Sequence, residues 1–99
     1  MSDTFSALNA QPTLLIVDDI PENLGLLGDL LLDAGYRVKA AKSGTVALRY
    51  AEQSPQPDLI LLDVMMPEMD GYQTIQKLKE NPKTAKIPVI FVSALGDTK

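Results

Sequence analysis

The chain has 99 residues, 9 basic and 13 acidic, for a net charge of −4 and a hydrophobic fraction of 45%. These values fit one globular domain with a modest core, and a poor ligand for nucleic acid or an anionic membrane surface. Cysteine and histidine are both absent, which excludes disulfides, thiolate metal sites and imidazole chemistry.

Residues 1–12 are polar and aperiodic and read as a flexible N-terminal tail. They lack the positive and apolar regions of a secretory signal. No apolar run approaches the roughly 18 residues of a membrane span, so a cytoplasmic location without membrane contact is expected. Thr13–Asp18 is apolar without alternation until its final aspartate, the pattern of a strand buried on both faces. Pro21–Ala34 reads as a helix, with proline tolerated in the first turn and Gly35 as the stop. Leu24, Leu27 and Leu31 fall on one face, and Leu26, Leu30 and Leu32 are expected to widen it.

Tyr36–Ala41 alternates apolar with Arg37 and Lys39, as an edge strand does. Ser43 is placed to cap a helix running to about Gln53, and Ser54–Pro57 is a turn. Asp58–Asp63 is the third strand. Asp70-Gly71 opens a helix to about Glu80, ended by Asn81-Pro82. Ile87–Ser93 is the fourth strand. Strands alternating with helices predict a parallel α/β sheet. The alternating strand belongs at an edge and the non-alternating ones inside, but a four-stranded sheet has two edges; in the order 2-1-3-4 the apolar fourth strand forms the other edge. It and the leucine-rich first helix call for further cover, so a fifth strand and its helices are expected to be missing. Both surfaces could serve a homodimer.

Two of the buried strands end in acid, at Asp18-Asp19 and at Asp63. If the strands are neighbours, three carboxylates converge and raise one another's pKa values. A hard divalent cation with oxygen ligands relieves that repulsion, and Mg²⁺ suits a carboxylate site that keeps several waters. Alternative roles stand beside this one. Asp18 and Asp19 also suit the start of a helix, and Asp63 could be a turn residue. Asp70 and Gly71 read as a cap and a close approach. Met65, Met66 and Met69 read as loop packing. No GxxxxGK[ST] and no GxGxxG is present, so a nucleotide enzyme fits poorly.

Asp18-Asp19, the stretch Leu61-Leu62-Asp63-Val64-Met65-Met66-Pro67-Glu68-Met69-Asp70-Gly71, and Phe91-Val92-Ser93-Ala94 together resemble the receiver domain of two-component response regulators. The resemblance covers residues 13–99. It implies a flavodoxin-like, doubly wound sheet of family order 2-1-3-4-5, of which this chain holds the first four strands. Sheets of that order bind ligand at the switch point between strands one and three. By position, the resemblance implies Asp63 as phosphoacceptor. It implies Asp18, Asp19, Asp63 and the backbone carbonyl of Met65 as Mg²⁺ ligands. Ser93 becomes the hydroxyl that meets the phosphoryl group.

The partners implied are a sensor histidine kinase as phosphodonor and a downstream effector domain or protein. The family's lysine and aromatic switch residue, both on its fifth strand, have no counterpart within the chain. Lys99 follows Ser93 too closely to take the lysine's place. The resemblance thus implies a signalling module rather than a turnover enzyme. The alternative is a receiver-like fragment that no longer switches and acts by self-association.

Overall fold

A computed structural model describes residues 11–92 of the chain. Most of the expected tail, Ser93 and Lys99 lie outside the described residues. Four strands are present: β1 (Thr13–Val17), β2 (Arg37–Ala41), β3 (Leu59–Asp63) and β4 (Val89–Val92). Helices α1 (Pro21–Asp33), α2 (Gly44–Glu52) and α3 (Gly71–Glu80) connect them in alternation. All pairings are parallel and the order is β2-β1-β3-β4, with the alternating strand β2 at one edge as its pattern implies and the apolar β4 at the other. Leu15 stands opposite Lys39 on one side and Ile60 on the other.

Side chains alternate across the sheet. Leu15, Val17, Ile60 and Leu62 join Ala47 and Ala51 of α2 and Leu78 of α3 in the main core. On the opposite face, Gly28 of α1 lies over Ile16 and Val38, close enough that an added Cβ would meet both in ordinary contact. Each helix starts and stops for an identifiable reason. Pro21 opens α1, and Gly35 follows it with φ +97, a left-handed conformation that glycine takes without cost. The Ser43 hydroxyl accepts from the Val46 amide at 3.2 Å to cap α2. Asp70 and Gln73 form a reciprocal capping box on α3. At the other end of α3, the Thr84 hydroxyl donates to the Leu78 carbonyl at 2.6 Å.

Two expectations are corrected. Leu26, Leu30 and Leu32 do not widen the buried face of α1; they are 56%, 58% and 55% exposed. At about 100° per residue, Leu26 and Leu30 point away from Leu24 and Gly28, and Leu32 sits at the flank. The fourth strand begins at Val89 rather than Ile87. The Ile87 amide donates to the Thr84 carbonyl in a turn, and ladder pairing starts where the Pro88 carbonyl accepts from Ile60. Ile87 is apolar because its side chain fills the core.

Candidate functional site

The site is built at the carboxyl ends of the two central strands. Val17 pairs with Leu62, so the residues after β1 emerge beside Asp63, the last residue of β3. The Asp18 amide donates to the Ala41 carbonyl at 3.1 Å, tying this corner to β2 as well. As a result, carboxylate oxygens of Asp18, Asp19 and Asp63 all lie within 4.8 Å of one another.

The three acids are not equivalent. Asp63 is 3% exposed, whereas Asp18 and Asp19 are half-buried. Burial pushes the Asp63 carboxyl above the ordinary range, and the charges of Asp18 and Asp19 push it the same way; the amides of Met65 and Val64 pull it back. The Met65 amide donates to Asp63 Oδ1 at 3.3 Å.

The loop after β3 is held on two sides. Met66 is buried in the core. The Gly71 amide donates to the Val64 carbonyl at 2.9 Å. A Cβ at residue 71 would stand 2.6 Å from the Asp63 carbonyl oxygen and 2.8 Å from Val64 Cα. Glycine is therefore what lets the first turn of α3 sit against the end of β3. Between these anchors Met65 is 74% exposed, and Glu68 takes a left-handed φ of 67.

Asp18 also serves the entry to α1. Its Oδ1 accepts from the Ile20 amide at 2.9 Å, and its Oδ2 accepts from Asn23 Nδ2 at 3.2 Å. Ile20 is the capping position of α1 and has no side chain able to cap. The helix-start and cation-ligand roles are thus compatible, because an ionised carboxylate offers about four lone-pair sites. Asn23 was not legible as part of this site. The available signal was its position in the first turn after an acidic pair, which is weak.

Three carboxylates meeting where parallel strands 1 and 3 diverge is the arrangement that the sequence motifs foreshadow. Residues 14–99 match the response regulator receiver domain. The chain belongs to that family. A probable cyclic di-GMP phosphodiesterase of Vibrio cholerae is 51% identical over 84 residues, 85% of this chain and 19% of its own length. The chain therefore spans about a fifth of that relative. The N-terminal domain of a response regulator receiver protein from Methanoculleus marisnigri superposes with a TM-score of 0.79 at 41% identity, covering 87% of this chain and 69% of that one. The Mn²⁺-bound form of the response regulator Rcp1 superposes with a TM-score of 0.73 at 26% identity, over 87% of this chain and 68% of that one. Among the described residues of this receiver domain, no helix is long and apolar enough to cross a membrane.

Proposed function

We propose that residues 13–99 form a phosphoacceptor module, and that Asp63 takes a phosphoryl group from a phosphohistidine of a sensor histidine kinase. The observation that carries this reading is the buried Asp63 carboxylate with Asp18 and Asp19 within 4.8 Å. An all-oxygen donor set, crowded and partly open to water, fits a hard divalent cation that keeps several waters. Asp18, Asp19 and Asp63, with the Met65 carbonyl, would hold Mg²⁺. When bound, the cation supplies positive charge against the phosphoryl oxygens. The Mn²⁺ bound by the structurally similar Rcp1 supports a divalent cation in this chain too.

In the transfer, an Asp63 oxygen attacks phosphorus in line, the phosphorus–nitrogen bond breaks, and the imidazole leaves with its electron pair and is protonated. The product is an acyl phosphate. The chain's own share is positioning: β3 and the Met65 amide aim the nucleophile. Conversion of a carboxylate of charge −1 to a phosphoryl group of about −2 is the signal. Ser93 is the proposed hydroxyl partner, and an effector domain or protein reads the change. A cytoplasmic setting suits such a partner set.

Mass spectrometry after incubation with Mg²⁺ and acetyl phosphate tests the reading. A phosphoryl adduct is expected on the native chain and not on Asp63→Asn; an adduct on both, or on neither, overturns it. One observation favours a second role. Leu26, Leu30 and Leu32 along α1 and Ile90 on β4 are more than half exposed, which supports self-association through either surface. A monomer at high concentration in sedimentation equilibrium would refute that role.

A further inference from the structure

Resting on the cation site just described, we propose that Asn23 is a positioning residue that sets the orientation of the Asp18 carboxylate for cation binding. Asn23 lies in the first turn of α1, on a different element from every acid of the cluster. Its Nδ2 donates to Asp18 Oδ2 at 3.2 Å while the Ile20 amide donates to Oδ1 at 2.9 Å. The Asp18 carboxylate is thereby held at both oxygens, one by main chain and one by side chain. Asn23, Asp18 and Asp63 also line one small cavity with Leu24, Leu27 and Val92, so the amide faces the same space as the nucleophile.

The chemistry fixes the direction of the bond. An ionised carboxylate only accepts, so the amide must present its NH₂ to Asp18. The geometry fixes the consequence. One donor on one oxygen leaves a carboxylate free to turn about its terminal torsion, which is broad for aspartate. A second donor on the other oxygen removes that freedom. The remaining lone pairs are then directed before a cation arrives, and the cost of ordering them is not charged to binding. Outer partners of ligating carboxylates commonly change metal affinity 10–100-fold when removed.

A simpler role for Asn23 is a clip that holds the start of α1 onto the end of β1. The two roles separate in a folded variant. Asn23→Leu keeps nearly the same side-chain shape and removes the donor. Mg²⁺ titration of the chain, followed by backbone amide chemical shifts without any phosphodonor, gives the affinity. Hydrogen exchange of the Ile20 amide without Mg²⁺ reports the Asp18 orientation directly. The expected result is Mg²⁺ affinity lower by about tenfold and faster exchange at Ile20, with the amide spectrum elsewhere preserved. Unchanged affinity in a folded Asn23→Leu chain overturns the role of Asn23 while leaving the cation site intact. Failure of the native chain itself to bind Mg²⁺ overturns the site. Should Asn23→Leu not fold, Asn23→Ala, read in the same two ways, decides the matter.

Discussion

Replacing Asp63 by asparagine is expected to stabilise the fold when divalent cations are absent. The three acids have carboxylate oxygens within 4.8 Å of one another, so Asp63 faces two like charges. At that separation each pair repels by about 0.9 kcal/mol at the dielectric constant of water and about 3.5 kcal/mol at an effective value of 20. Asp18 and Asp19 are half-buried and therefore well screened, which places the pairs near the lower figure. Two pairs then sum to about 2 kcal/mol, and burial of the Asp63 charge acts in the same direction. Asparagine keeps an oxygen for the Met65 amide and loses the charge. For a domain of this size the gain corresponds to about 10 °C in Tm.

The pH dependence carries a definite sign. The folded carboxyl of Asp63 lies above its unfolded value, so between the two the folded state binds more protons. Native stability therefore falls as pH rises through that window. The advantage of Asp63→Asn should be full above the raised Asp63 value, shrink as pH falls from there to the ordinary carboxylate value, and be gone below it. Urea unfolding followed by far-UV circular dichroism, with a chelator, at neutral and acid pH, measures this. Mg²⁺ at about a hundred times its Kd should stabilise the native chain by about 2.7 kcal/mol and close the gap. An Asp63→Asn chain no more stable than the native one, at neutral pH with chelator, would refute the electrostatic reasoning.

Gly71→Ala should lose about 1–3 kcal/mol by overpacking, because the two nearest atoms its Cβ would strike are backbone; a urea midpoint equal to the native one would contradict this. Thr84→Val should cost about 1–2 kcal/mol, since the residue is 1% exposed and its hydroxyl bonds the Leu78 carbonyl at the end of α3. Its signature is earlier exchange of the amides in the last turn of α3. Any phosphoryl group on Asp63 should persist for minutes or longer, because the exposed Met65 side chain cannot orient a water for attack. Decay within seconds, followed by mass spectrometry, would argue against it, and Met65→Asn should shorten the lifetime.

The edge place of β2 and the acidic corner were legible because both follow from short-range pattern, whereas the full strand order came with the family resemblance. A run such as Leu59–Leu62 without alternation can only be covered on both faces, and two such runs ending in acid converge once they pair in parallel. The caps at Ser43 and Asp70 were legible for the same reason: they act within one turn. What pattern left open was how wide a face the sheet covers. The helical repeat sets Leu26 and Leu30 apart from Leu24, but Leu32, at the flank, is exposed only because the buried face is narrow. Ile87 shows the reverse failure, an apolar residue that belongs to the core and not to the strand it precedes. Asn23 escaped because its meaning lies in one hydrogen bond across a turn, and no periodicity marks it.

The two glycines that border α3 have a mechanical consequence. Gly71 admits the helix start against the backbone of Asp63 and Val64, and Gly44 admits the start of α2 against Thr74 and Met69. Each contact is closer than a methyl group would allow. Helix α3 thus sits close against the strand that ends in Asp63 on one side and against α2 on the other. On the same helix, one residue on from Gly71, Tyr72 leans on Phe91 of β4 at 5.2 Å with their planes 54° apart. The close fit on this side of the domain depends on two side chains that are not there.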